Sequence, residues 1–423
     1  MLSGVLHRLT DPFRHGFVRD VGILTGGTVA AQAIAVLALP ILTRLYAPDD
    51  FSLFAVYLAL VSIFSTIGCL RYNIAVPLPK EDTDGMNVLV VSLLSATGVS
   101  MILALPVLIA PRSVAELLGL TDLAPLLWLV PISVWAASIY TGLQYWASRK
   151  KQFGLITKTR ITRSAGGVGA QLSLGAFGSG GLGLLFGQTL NNSLGIVGLA
   201  RSILRRDQTA LRAVNREGLR RNARTYRRFP LFSVPEALFN TAGLQVPIMI
   251  IAAIAAGPEA GFVLLAMRVM GLPMALIGSS VAQVFLTEAP QELNKGRLGD
   301  FTRKTMKRLL GIGAAPLCLV GAVSPFLFAP LFGDEWGRAG VLVAWMTPWF
   351  ILQFVASPVS MALHVTGQQF VAMFLQAFGL VSRVGAVLCA MAYAPDYIAE
   401  IYALSGAVFY GVYLWIVIRV VKK

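Results

Sequence analysis

Arginine is the residue whose placement in this chain can do chemistry. Arg268 stands in FVLLAMRVMGLP, residues 262–273, a run that carries no other charge, and Arg383 stands alone in QAFGLVSRVGAVLCA. Arg44 and Arg71 flank apolar runs, the second within CLRYNIAVPLP. At the centre of a lipid-exposed helix an arginine costs about 3 kcal/mol, so a chain that keeps one turns it toward a partner, a cavity or a substrate. Guanidinium is also a permanent cation whose planar fork of donors matches phosphate and carboxylate. Acids near the apolar runs are fewer, Glu236 and Glu288, so buried anions cannot neutralise all of these cations. The balance predicts a wet, electropositive cavity that receives an anion. Its candidate residues are Arg268, Arg71, Arg383 and Arg44, with the amides Asn73, Asn240, Gln245 and Gln283 able to hold hydroxyl groups. Gln144, Asn191, Asn192 and Gln376 are amides of the same kind, and pairing between helices is the competing use for all of them. Arg44 and Arg71 sit where snorkelling to headgroups is cheap. Glu236, after a proline at the start of an apolar run, is the candidate for ion coupling, with helix capping as its alternative. His364 has no companions at metal spacing and reads as structural.

The elements that must position these groups are membrane helices. Apolar residues make up 56% of the 423 and charged residues 13%, about half the usual share. Twelve stretches are of the length that crosses a hydrocarbon core: about 21–42, 51–73, 86–110, 123–147, 157–178, 180–201, 232–256, 259–287, 303–331, 338–363, 367–393 and 396–420. Without water to satisfy the backbone, each must be a helix, which makes the fold all-α. The first stretch runs into Arg44 without a small-residue cleavage site, so it reads as a span rather than a signal peptide. HRLTDPFRHGFVRD, before it, is expected along the membrane surface. Cys69, Cys318 and Cys389 are each alone in apolar spans and are expected as small core residues.

A net charge of +15 invites a nucleic-acid reading, and its distribution excludes it. With loops assigned alternately to two sides, one side holds 30 Lys and Arg and the other 3. That asymmetry is the positive-inside signature and puts both termini in the cytoplasm. The heaviest loop, RSILRRDQTALRAVNREGLRRNARTYRR, carries ten arginines. Leu211, Val214, Leu219, Ala223, Tyr226 and Phe229 recur near helical spacing, which predicts an amphipathic helix on anionic inner-leaflet lipid. NKGRLGDFTRKTMKRLL reads the same way.

The chain also repeats itself. PDDF aligns with PEAGF, setting Phe51 on Phe262 at an offset of 211, and ASRKKQF aligns with HVTGQQF, setting Phe153 on Phe370 at 217. The organisation expected is an interfacial segment 1–20, a six-helix lobe 21–201, a basic linker 202–230 and a second lobe 231–423, with a central cavity at the seam. Prolines inside spans, such as Pro106, Pro247 and Pro348, allow kinks where lobes rock. No phosphate-cradling loop, GxSxG or HExxH occurs; GSGGLGLLFG at 178–187 reads as a tight turn. No resident cofactor and no enzyme activity are expected.

PILTRLYAPDDFSLFAVYLALVSIFSTIGCLRYNIAVPLPK and GPEAGFVLLAMRVMGLPMALIGSSVAQVF resemble the polysaccharide-biosynthesis flippases, the Wzx-type branch of the multidrug/oligosaccharidyl-lipid/polysaccharide exporter superfamily. The resemblance implies twelve helices in two pseudo-symmetric lobes in the bacterial cytoplasmic membrane. It implies transfer of an undecaprenyl-diphosphate-linked oligosaccharide, an O-antigen, capsule or exopolysaccharide precursor, to the periplasmic leaflet. The cationic-cavity role falls on Arg268 within the second motif, on Arg44 and Arg71 by position in the first, and on Arg383 by charge. Asn73 stands where the family frequently has glutamate. Coupling to a proton or sodium gradient and contact with a polysaccharide polymerase or other export proteins are further expectations. The rivals are a multidrug-type cation-coupled antiporter of the same superfamily, whose cavity would be acidic and aromatic, and a polytopic glycan enzyme. The second would need larger extramembrane loops than APRSVAELLGLTD.

Overall fold

A computed structural model describes residues 12–117, 121–255, 257–274 and 279–421. Every regular element among them is a helix. The first span is α1, Pro12–Leu37, and α2, Leu39–Leu45, broken just before Pro40. Then follow α3 (Pro48–Gly68), α4 (Asp82–Ile109), α5 (Leu129–Arg149), α6 (Phe153–Ala176) and α7 (Gly181–Arg206). The linker carries α8, Arg216–Thr225. The second half is α9 (Val234–Ile254), α10 (Glu259–Pro273), α11 (Ser279–Asn294), α12 (Leu298–Phe332), α13 (Gly337–Val359), α14 (Gln369–Tyr393) and α15 (Ile398–Val421). Helices thus occupy all twelve expected positions. Among the described residues, eight segments are long and apolar enough to cross a membrane on those grounds alone, and α5, α6, α7 and the α10–α11 pair are not among them. The interfacial segment expected over 1–20 is described only from Pro12, where α1 already runs continuously into the first span.

The duplication appears in the packing. In the first half α1 packs on α6, α3 and α4 on α5, α5 on α7, and α6 on α7. In the second half α9 packs on α14, α10 and α12 on α13, α13 on α15, and α14 on α15, the same five pairings in the same order. Small residues let these helices approach closely. Gly195 of α7 lies against Tyr140 of α5, and Gly406 of α15 lies against Trp349 of α13, so the same crossing recurs with the same partners. Of the two alignments, the first pairs Phe51 with Phe262, which meet with their ring edges on Trp336 at 4.8 and 5.8 Å, and Gly195 and Gly406 stand at the same offset of 211. The second shifts by one residue. Gln152 donates its N–H to Ala147 O and Gln368 to Leu363 O, both at 2.8 Å, closing helices at Lys151 (φ 54°) and Gly367 (φ 72°). Phe153 therefore matches Gln369 rather than Phe370.

That turn yields a prediction. A lysine at positive φ carries a steric cost that glycine avoids, about 1 kcal/mol. Lys151→Gly is expected to raise the unfolding temperature in detergent, and Gly367→Ala to lower it.

Other expectations are revised. Cys69 is buried, but Cys318 and Cys389 are exposed on the outer faces of their helices. The turn expected over 178–187 is confined to residues before Gly181, where α7 begins, with Gly178 and Gly180 at positive φ and the Ser179 hydroxyl donating to Leu174 O at 2.8 Å. In the linker, Leu211, Val214, Tyr226 and Phe229 pack on the buried cluster around Ile156, Leu199 and Ile203. These apolar residues are half-buried against the protein. Asn222 of α8 donates to Asp84 at 3.0 Å, Arg221 pairs with the same carboxylate, and Tyr72 donates to Ala223 O at 3.1 Å.

Candidate functional site

The two lobes meet unevenly. α3 packs along both α9 and α10, whereas α1 and α10, the pair related to α3 and α9 by the repeat, touch only slightly. A cavity of about 340 Å³ occupies this looser seam. α10 supplies Met267, Arg268, Gly271 and Leu272; α1 and α2 supply Gln32, Ala35, Val36 and Leu39. α6 adds Ser164, Gly167, Val168 and Gln171, and α7 adds Gln188 and Asn191. No acidic side chain is among the described lining residues.

Arg268 is half-buried there. Its guanidinium carbon lies 5.0 Å from the ring centre of Phe54, a fully buried residue of α3. Among the described residues it has no ion pair and no hydrogen bond, so its fork of donors remains available. The wall across from it is neutral and polar. Ser164 Oγ donates to Ala31 O at 2.6 Å, and Gln171 Nε2 donates to Leu184 O at 3.2 Å. Gln188 Nε2 donates to Asn192 Oδ1 at 3.3 Å.

Behind this wall stands a second cation, near the start of the expected span 157–178, that is not among the predicted site residues. Arg163 lies 3.9 Å over the ring of Tyr140. It donates Nε to Asn191 O at 2.7 Å and Nη2 to the side-chain oxygens of Asn191 and Asn192, each at 3.3 Å.

The other predicted site residues are dispersed. Arg383 is inside the second lobe, 2% exposed, with its guanidinium carbon 4.4 Å from Phe409, 5.2 Å from Trp349 and 5.3 Å from Tyr410. One long contact of 3.5 Å to Gly243 O is its hydrogen bond, and Nε and Nη2 have no partner. Aromatic faces, which attract cations by about 2 kcal/mol or more when desolvated, take the place of the expected anion. Arg44 is exposed at the end of α2. Arg71 is in a left-handed turn (φ 61°) after α3 with its Nε buried and unpaired, and Asn73 is buried in the next turn. On α9, Asn240 is exposed, Gln245 half-buried and Glu236 half-buried in the first turn. The side chains of Gln283 and His364 lie outside the described ones. Of the eight predicted site residues whose side chains are described, Arg268 alone is on the cavity wall, and Asn191, considered among the amides, joins it. Gln32, Ser164, Gln171 and Gln188 were missed, although Ser164, Gly167 and Gln171 recur at helical spacing along one face of the span.

At the end away from the basic loops the lobes are sealed together. Trp336 Nε1 donates to Thr43 O at 3.0 Å, and Phe51 and Phe262 flank its ring. Ser52 Oγ donates to Gly257 O at 2.8 Å and accepts the Gly261 N–H at 2.9 Å. Within the second lobe Arg338 bridges Glu259 and Glu400 at this same end.

Comparison with known proteins agrees with this architecture. The profile of a family described as "Polysaccharide biosynthesis protein" matches residues 41–340. No curated protein matches the sequence. The fold is similar to an inward-facing multidrug-resistance MATE transporter of the MOP superfamily, with a TM-score of 0.62, 16% identity and 95% of each chain covered. It is also similar to a Pyrococcus furiosus MOP-superfamily transporter described as having a binding pocket of reverse polarity, with a TM-score of 0.60, 16% identity and 96% of each chain covered. An outward-facing MATE transporter matches with a TM-score of 0.56 and 16% identity over 96% of each chain.

Proposed function

Because this chain belongs to the polysaccharide biosynthesis protein family, a multi-pass membrane protein with the fold of MOP-superfamily transporters, we propose that it is a lipid-linked oligosaccharide flippase. Its cargo is an undecaprenyl-diphosphate-linked repeat unit, carried from the cytoplasmic to the periplasmic leaflet of a bacterial inner membrane. The observation that carries this reading is Arg268, unpaired among the described residues, on a polar cavity between two lobes. A diphosphate supplies the acceptors and the negative charge that this guanidinium lacks. The loosely packed α1–α10 seam lets the head enter while the polyprenyl tail stays in lipid. The seal around Trp336 closes the periplasmic end, which makes this state inward-facing. Transport follows when the seal opens and the basic end closes, provided that the cargo binds the two states differently. Glu236 is the carboxylate through which a proton or sodium gradient biases that cycle. The basic linker meets anionic inner-leaflet lipids, and a polysaccharide polymerase or other export proteins receive the product. A multidrug antiporter of cationic drugs would be repelled by Arg268 and would find no carboxylate among the described lining residues.

Reconstitution tests this. Liposomes carrying the protein and a fluorescent undecaprenyl-diphosphate oligosaccharide in the inner leaflet are expected to expose the glycan to an impermeant glycosidase faster than protein-free liposomes. Equal rates with and without the protein, together with protein-dependent efflux of a cationic dye, would overturn the assignment in favour of drug transport.

A further inference from the structure

The cavity has two chemically different sides, and the second is organised by a residue that does not touch it. An arginine side chain can only donate hydrogen bonds, and a carbonyl oxygen can only accept. Arg163 Nη2 therefore fixes which atoms of Asn191 and Asn192 are oxygens, at 3.3 Å each, and Asn191 Nδ2 returns a bond to Arg163 O at 3.1 Å. With Asn192 presenting an oxygen, Gln188 must turn its nitrogen to it, which leaves Gln188 Oε1 without a partner in the wall. Two further groups are set the same way by obligate acceptors. The one hydroxyl hydrogen of Ser164 is spent on Ala31 O, and the amide nitrogen of Gln171 is held on Leu184 O. Gln171 Oε1, Gln188 Oε1 and Ser164 Oγ remain as accepting atoms of cavity-lining residues, across from the donors of Arg268. The stack of Arg163 on Tyr140 at 3.9 Å, in turn packed on Gly195, holds the organiser in place.

We propose that the α6–α7 wall is an accepting subsite for the hydroxyl or N–H groups of a neutral sugar next to the diphosphate, and that Arg163 is the positioning residue that sets its polarity. The inference rests on the flippase reading, since it assigns the second half of the same ligand. A head with an anion at one end and hydroxyl donors at the other satisfies both sides at once. A uronic acid in the first position would set its carboxylate against accepting oxygens and be disfavoured.

The test uses the full-length protein in detergent and three probes: undecaprenyl diphosphate, the same lipid bearing N-acetylglucosamine, and the same lipid bearing glucuronic acid. Two or more neutral hydrogen bonds are expected to give the N-acetylglucosamine probe about tenfold tighter binding than the bare lipid. The glucuronic acid probe should show no gain. Gln188→Leu and Arg163→Leu should abolish the gain, read as the ratio of the N-acetylglucosamine probe's affinity to that of the bare lipid in the same variant. If Arg163→Leu does not fold, Gln188→Leu and Gln171→Met carry the test. The proposal is overturned if the neutral sugar adds nothing in the unmodified protein, if the acidic sugar gains as much, or if the gain survives in Gln188→Leu. Loss of the flippase reading looks different: bare-lipid binding would then be insensitive to Arg268→Ala, whatever the sugar does.

Discussion

Arg268→Ala is expected to stop glycan export while leaving the protein at least as abundant and as heat-resistant as before. The two halves of that expectation have separate causes. Removing the guanidinium deletes charge-assisted hydrogen bonds to a diphosphate, each about 1.5–3 kcal/mol, which lowers cargo affinity roughly ten- to hundredfold or more. A structural arginine would behave differently, because losing one partner of a buried pair leaves the other stranded at a cost of about 3–5 kcal/mol. Arg268 has no such partner among the described residues, only the face of Phe54. Its removal also relieves the cost of a charge at membrane depth. Arg268→Lys keeps the charge but loses the planar fork, so it should retain part of the activity. Export per unit of protein, measured beside the unfolding temperature, separates these cases. Full export by both variants would remove Arg268 from the site, and a fall in abundance matching the fall in export would assign it to folding instead.

The reason that Arg268 was legible in the sequence, and most of its companions were not, is energetic. A charge in an apolar run is expensive enough to demand an explanation, so one letter among twelve points to a cavity. An amide is cheap at the same depth and serves as glue between helices throughout such proteins. Asn240 and Gln188 therefore look alike in the sequence, although one ends on the surface and the other on the cavity wall. Arg163 was hidden for another reason. It follows Lys158 and Arg160 at the start of the expected span 157–178, where a cation passes for one at the membrane edge, but α6 begins at Phe153 and carries it ten residues, about 15 Å, into the bundle. Arg383 was visible as a buried cation, and its partner was misjudged. Anions are not the only answer to buried charge, and the quadrupoles of Trp349, Phe409 and Tyr410 leave no sequence spacing to find. The helices were easier, because apolar length is a local property.

Gly261→Val is expected to have the largest effect of any change outside the cavity, because the seal requires contact between backbones. A Cβ at Gly261 would fall 2.3 Å from Pro48 O and 3.0 Å from Ser52 N. Neither atom is the end of a flexible side chain, so α3 and α10 must part, and the bonds from Ser52 to Gly257 and Gly261 go with them. Overpacking of this kind costs about 1–3 kcal/mol, and here it falls on the sealed state alone. The equilibrium then shifts about 5- to 150-fold toward the state open at that end. Gly98→Val is the control, since nothing lies within 4 Å of its Cβ. Spin labels at Asp49→Cys and Glu335→Cys, exposed on the two lobes at the sealed end, report the separation once Cys318 and Cys389 are replaced by serine. Gly261→Val should lengthen that distance and abolish transport while undecaprenyl diphosphate still binds, and Gly98→Val should change neither. An unchanged distance with intact transport would mean that the Trp336 contact is not the gate. A longer distance with intact transport would mean that closing this end is no part of the cycle, and alternation would have to be sought along the α1–α10 seam.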